Sequence, residues 1–247
     1  MLEVCCGSYY DAVQAYTGGA RRIELNSALH LGGLTPSLAT LEMVKEDCGD
    51  LQVIAMVRPR GAGFCYLPED FRVMMRDCEI LLKHGADGIA FGCLKEDATI
   101  NQQQSGQMIQ LIHEHGGIAV YHRAFDCVSD PCEAMETLIR MNADRVLTSG
   151  LKPTAVEGQA LIGDLQRRYG EQIEILAGSG INASNAAKLM ADTGISQVHS
   201  SCKEWKSDPT TISGDVSYSY TTSPSNLSYE VVSSEKVREI LAVLAEN

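Results

Sequence analysis

The stretch Ile118-Ala-Val-Tyr-His-Arg-Ala-Phe-Asp126 decides how this chain is read. It opens as a short apolar run, the pattern of a buried strand. It then delivers His122, Arg123 and Asp126 within five positions: a titratable base, a fixed cation and an acid. An apolar strand with polar chemistry at one end is a strand that carries a site. The rest of the chain repeats this unit.

Outward from that stretch, short apolar strands alternate with helices. Strands are predicted at 2–6, 22–25, 52–57, 88–91, 118–122, 145–148, 173–177 and 197–201. Ser8 followed by Asp11 caps a helix that runs to Gly18-Gly19. Thr35-Pro36 places a cap and a proline at the first turn of a helix over 37–46. Helices over 68–84 and 103–115 stop at Gly85 and at Gly116-Gly117. Ser129 caps a helix through Met141, and another spans 155–169. Asn182 or Ser184 opens a helix to Ala191, and 234–245 is the last.

Strands alternating with helices imply a parallel sheet with right-handed crossovers. Eight such units in 247 residues fit a TIM (β/α)8 barrel better than an open doubly-wound sheet. No linker divides the chain, so 1–247 is expected to be one domain. Residues 203–232 break the rhythm, with a Ser, Thr and Tyr-rich run at 217–228. They follow the eighth strand, so they belong on the C-terminal face as a surface loop, a lid or a homo-oligomer contact.

The formal net charge of −12 argues against nucleic acid or an anionic membrane as a partner. The apolar fraction of 45% suits a sizeable core. No apolar run is long enough to span a bilayer, and Met1-Leu2-Glu3-Val4 has neither a cationic lead nor a signal-type core. A cytoplasmic location is therefore expected. The nine cysteines are scattered, odd in number and without a CxxC pair, as expected of reduced thiols that mostly fill the core.

Barrels present their reactive groups at the C-terminal strand ends. Those ends hold Cys5, Glu24, Asn26, Arg58, Arg60, His122, Arg123, Asp126, Thr148, Ser149, Gly178, Ser179, Gly180, His199 and Ser201. Alternation turns Glu3 and Cys5 inward on the first strand, and Glu24 and Asn26 inward on the second. Buried carboxylates need partners, and Arg58, His122 and His199 are the candidates. Such a group is either a satisfied ion network or the acid–base machinery of a site. Gly178-Ser179-Gly180 before a helix has the form of a phosphate cradle, or of a tight turn. Thr148, Ser149 and Ser201 are further anion-binding candidates. Arg58, Arg60 and Arg123 either focus a small anion into the mouth or pair with neighbouring carboxylates.

Cys5 and Cys6 are adjacent, so alternation sends them to opposite faces, and only Cys5 is placed to bind a soft metal such as Cu(I). His113 and His115, two apart on a helix, point apart. HExxH, P-loop and GxSxG motifs do not occur.

Taken together, Glu3-Val-Cys5, Arg22-Ile-Glu-Leu25, Gly32-Gly-Leu-Thr-Pro-Ser37, Arg58-Pro-Arg60 with Phe64-Cys-Tyr66, His122-Arg-Ala-Phe-Asp126 and Leu147-Thr-Ser-Gly150 resemble the CutC family. They run in order over roughly the first 200 residues. The resemblance implies a TIM barrel, a cytoplasmic protein and a role in copper homeostasis. It also implies copper ligands at a first-strand cysteine and at a second cysteine just after Arg-Ile-Glu-Leu. Cys5 matches the first; the second is Asn26, a hard amide that suits Cu(I) badly.

Three functions follow as expectations. The first is Cu(I) binding with Cys5 as a ligand. The second is an enzyme for a small anionic or phosphorylated metabolite, with His122 as proton shuttle, Glu24 or Glu3 as its partner and Arg58 and Arg123 stabilising negative charge. The third is a non-catalytic scaffold. No cofactor is expected to be required, and Cu(I) is the one candidate.

Overall fold

A computed structural model describes residues 1–245; the last two residues of the expected 1–247 unit lie outside the described residues. Eight parallel strands close into a barrel in chain order, a TIM barrel. They are β1 (Leu2–Cys6), β2 (Arg22–Leu25), β3 (Gln52–Met56), β4 (Gly88–Phe91), β5 (Ile118–Tyr121), β6 (Arg145–Thr148), β7 (Glu174–Gly178) and β8 (Gln197–Ser200). The helices between and after them are α1 (Tyr9–Thr17), α2 (Leu38–Asp47), α3 (Pro68–Lys83), α4 (Gln102–Glu114), α5 (Pro131–Arg140), α6 (Gln159–Tyr169), α7 (Ala186–Thr193) and α8 (Ser234–Ala245).

Each helix buries one stripe. In α3 the buried positions Met74, Cys78, Leu81 and Leu82 recur at helical spacing. These stripes pack on the outward residues of the strands, such as Val4, Ile23, Val53, Ile89 and Val146, to make the main core. The inward residues form a second, separate core. Its apolar part is Ile54, Met56, Ala90 and Val120, with Ile118 packed against it. Its polar part is Glu3, Arg22, Glu24, Arg145, Gln197 and His199, all buried. The interior is thus apolar on β3 to β5 and ionic on β1, β2, β6 and β8.

β4 makes the apolar half possible by being small on its inner face. A Cβ at Gly88 would stand 2.5 Å from the Ile118 carbonyl and 2.9 Å from Ile54 Cδ1. Just past the strand, a Cβ at Gly92 would stand 2.6 Å from His122 Cε1. The missing side chains are the space that Ile54, Ile118 and His122 occupy.

Several helix starts differ from the sequence reading, each for a local reason. Ser37, not Thr35, caps α2, its Oγ accepting from the Thr40 amide at 3.2 Å. Thr35 is engaged instead with Arg58, whose amide donates to Thr35 Oγ1 at 3.0 Å. Asp130, not Ser129, caps α5 by accepting from the amides of Cys132 and Glu133. α6 begins at Gln159 rather than 155 because the preceding loop turns back on itself: a Cβ at Gly158 would meet the Ser149 carbonyl at 1.9 Å. α7 begins at Ala186, with Asn185 at its cap position rather than Asn182 or Ser184.

Residues 203–232 carry strands of their own. β9 (Lys203–Ser207) pairs antiparallel with β12 (Ser228–Val232), and β10 (Ile212–Ser213) pairs with β11 (Val216–Ser217). Asp11 ties this ribbon to the barrel. Its Oδ2 accepts from Gly7 N at 3.0 Å and its Oδ1 from Val232 N at 2.8 Å.

Replacing Gly88 by Ala is expected to lower stability by about 2–3 kcal/mol, because the new methyl meets backbone on a rigid inner wall. Urea unfolding checks this; a midpoint equal to wild type would show that β4 can yield.

Candidate functional site

The site is built upward from Glu3. This carboxylate is 1% exposed, inside the barrel on β1. The parallel register sets Glu3 beside Arg22 and beside His199. Arg22 Nε lies 2.7 Å from Glu3 Oε2, and His199 Nδ1 lies 2.8 Å from Glu3 Oε1. Arg145 Nη1 approaches Oε2 at 4.0 Å and pairs through Nη2 with Glu174 at 2.5 Å. Gln197 closes the group, accepting from Arg22 at 2.5 Å and donating to Glu174 at 3.2 Å. Burial alone would raise the Glu3 pKa, but the His199 hydrogen bond and the charges of His199, Arg22 and Arg145 hold it below the usual carboxylate value. Burial would likewise lower His199, yet its hydrogen bonds to Cys5 and Glu3 and the charge of Glu24 lift it well above an ordinary histidine.

The expected partners of the buried carboxylates are therefore corrected. Arg22 and Arg145 pair with Glu3, and of the expected three only His199 does. Arg58 spends its guanidinium on the carbonyls of Leu31, Gly33 and Ala62 at 2.6–2.9 Å. The parity that turned Glu24 inward also turns Arg22 inward, so that signal was present in the sequence.

Above this network the barrel mouth holds a cavity of about 370 Å³. Cys5, Glu24, Asn26, Arg58, His122, Arg123, Ser179, Gly180, His199 and Ser201 all line it. Residues outside the predicted set line it too: Leu29, Met56, Phe64, Lys203 and Glu230 among them. Lys203 and Glu230, paired at 2.5 Å, bring the β9–β12 ribbon into the wall. No periodic signal marked that pair, because it depends on two distant segments meeting.

Other predicted residues lie elsewhere. Asp126 is the anion of its own cradle: Thr148 Oγ1 donates to it at 2.6 Å, Ser149 Oγ at 2.9 Å, and the amides of Ser149 and Leu151 also point at it. Arg123 Nε adds an ion pair at 2.8 Å. Thr148 and Ser149 thus bind an internal carboxylate, and neither they nor Asp126 line the cavity. Arg60 also turns away, pairing with Asp70 at 2.9 Å and stacking over Tyr66. Gly178 packs under His199 rather than facing the cavity, since a Cβ there would stand 3.3 Å from His199 Cβ. Ser179 and Gly180 both have positive φ, and Ser179 Oγ donates to Pro153 O at 2.7 Å, so their turn is braced by the preceding loop.

His122 is 3% exposed. Its Nδ1 accepts from the Ala124 amide at 3.1 Å, so the neutral ring carries its proton on Nε2, which has no partner among the described residues. Burial, with the nearby charges of Arg58 and Arg123, lowers its pKa from 6.5 to about 3. At neutral pH it is an uncharged hydrogen-bond donor, not a cationic acid.

On the opposite wall, ligating atoms of Cys5, Glu24 and His199 all lie within 4.8 Å of one another. Asn26 Nδ2 donates to Glu24 Oε2 at 2.9 Å and lies 3.6 Å from Cys5 Sγ. Gly33, at φ +85, leaves room for this amide; a Cβ there would meet Asn26 Oδ1 at 2.4 Å. Burial raises the pKa of Glu24 above that of an ordinary carboxyl, and of Cys5 above that of an ordinary thiol.

Fold and site define a TIM barrel with a polar cavity at its C-terminal mouth. The CutC family model matches residues 1–204, and the chain belongs to the CutC family. A family protein CutC of Treponema denticola is 46% identical over 210 residues, covering 85% of this chain and 84% of that one. The human copper homeostasis protein cutC homolog is 35% identical over 244 residues, covering 98% and 88%. The crystal structure of a CutC protein from Streptococcus agalactiae superposes with a TM-score of 0.77 at 26% identity, over 81% of this chain and 98% of that one. Among the described residues no helix is long and apolar enough to cross a membrane.

The state of His122 sets a pH dependence. Folded, it stays neutral down to about pH 3; unfolded, it takes a proton near pH 6.5. Between those values the unfolded chain binds more protons, so stability falls as pH falls, by up to about 1.4 kcal/mol per pH unit. Urea titrations from pH 7 to 4 should show wild type losing stability faster than His122→Gln; parallel curves would contradict the assignment.

Proposed function

We propose that this chain binds a metal ion at the floor of the barrel mouth. The carrying observation is the convergence of Cys5, Glu24 and His199 on one point of the cavity wall. Copper is the metal that the names of relatives point to, as in the human copper homeostasis protein cutC homolog. A thiolate and an imidazole both suit copper, the thiolate selecting Cu(I), so Cys5 Sγ and His199 Nε2 are its ligands in this reading. Asn26 supplies no second soft donor. The Cys5 thiol and the His199 imidazolium each lose a proton on binding, so affinity rises with pH. All nine cysteines are free thiols, in keeping with a reducing, cytoplasmic setting.

A second reading is favoured by Arg58. It is 5% exposed, lines the cavity, and no carboxylate pairs with it among the described residues. An unneutralised buried cation beside the free Nε2–H of His122 suits a small anionic metabolite with an oxygen acceptor, and acid–base chemistry on it by Glu24. Thermal-shift screening against sugar phosphates and carboxylates tests that reading; no stabilisation by any of them would count against it.

For the first reading, Cu(I) affinity is measured by competition with a chromophoric chelator. Cys5→Ser is expected to weaken binding by a factor of about 100 or more, and His199→Gln by at least tenfold. Equal, weak binding by wild type and Cys5→Ser would dispose of copper binding at this place.

A further inference from the structure

We infer that the floor of the mouth is a site for a borderline divalent cation of the zinc type, held by Cys5 Sγ, the Glu24 carboxylate and His199 Nε2, with one coordination position open to the cavity. The inference rests on the metal-binding reading above and departs from it in the ion, a divalent cation in place of Cu(I).

Glu24 carries the argument. It is 4% exposed, and its Oε1 has no partner among the described residues. A buried, unpartnered carboxylate oxygen on a cavity wall calls for a cation or a donor from outside. Its other oxygen is already held by Asn26 at 2.9 Å. The residue that stands where a second thiolate would be is thus an orienting group. It fixes the carboxylate and reaches toward Cys5, without ligating anything itself. Glu3 does the same for His199, engaging Nδ1 at 2.8 Å and leaving Nε2 for the cluster. Ligands held from behind by carboxylate or amide partners are the usual construction of a metal site.

The donor set then selects the ion. One thiolate, one imidazole and one carboxylate are the ligand types of zinc, and three protein ligands with an open position is the arrangement of its reactive sites. A monovalent ion offsets only one of the two negative charges that Cys5 and Glu24 carry as ligands, whereas a divalent ion offsets both. The fit is close in distance as well. Tetrahedral ligands at about 2.0–2.3 Å stand roughly 3.3–3.8 Å apart, and the ligating atoms of all three residues already lie within 4.8 Å of one another.

The test is a pair of chelator competitions on the full chain under reducing conditions, one with Zn2+ and one with Cu(I). Wild type is expected to bind one equivalent of zinc. Glu24→Gln keeps the size and the Asn26 contact; it should weaken zinc at least tenfold while changing Cu(I) less than threefold. Asn26→Cys should move the zinc-to-copper preference at least tenfold toward copper. Cobalt(II) adds a direct readout, a thiolate charge-transfer band that Cys5→Ser abolishes. Cu(I) binding without zinc, or zinc affinity indifferent to Glu24→Gln in a folded variant, would overturn this inference and leave the copper reading standing. Binding of neither metal would defeat both. Asn26→Cys keeps the question decidable if Glu24→Gln fails to fold.

Discussion

A carboxylate in the middle of a barrel is the constraint from which the rest of this molecule follows. Glu3 has no water to solvate it, so it must be matched by charge and by hydrogen bonds. Arg22 and His199 do this from the two strands that flank β1, and Arg145 from across the barrel. Each of these is itself buried and must be matched in turn, which draws in Glu174 and Gln197. One acid therefore dictates the inner face of four further strands. The opposite half of the barrel, where Ile54, Met56, Ala90 and Val120 pack, needs only shape.

This division places the candidate site. His199 cannot rotate freely while Nδ1 is engaged with Glu3, and that fixes the direction of Nε2. The floor of the mouth is set by strands rather than by loops, the more rigid choice for positioning ligands. The loops above it are held by charges of their own. Asp126 organises the turn after β6 by filling it, and Arg58 gathers the carbonyls of the turn after β2. Both look like binding groups in the sequence, and both bind the protein itself, though Arg58 still faces the cavity.

How much of this could be read beforehand depends on range. The barrel was legible because strand and helix periods are local, and eight repeats of Ile118–Tyr121-like runs leave few topologies. The inward turn of Glu3, Cys5, Glu24 and Asn26 was legible for the same reason, since alternation needs no knowledge of neighbours. Pairing was not. Whether His122 meets a carboxylate, or whether Thr148 and Ser149 meet a ligand or Asp126, depends on the register of different strands and on loops that fold back. The cap of α5 shows the same limit at short range: Ser129 and Asp130 are both good caps, and one residue of phase decides between them. The wall made by Lys203 and Glu230 depends on β9 pairing with β12 across the twenty residues between them.

The central claim, that Glu3 is the hub on which the polar half of the barrel depends, is most directly tested by the urea unfolding free energy of Glu3→Gln at neutral pH. Removing one partner of a buried ion group leaves the others uncompensated, so the account predicts a loss of about 3–5 kcal/mol with the denaturant slope unchanged. A loss below about 1 kcal/mol would mean that Arg22, Arg145 and His199 are satisfied without it, and would contradict the account.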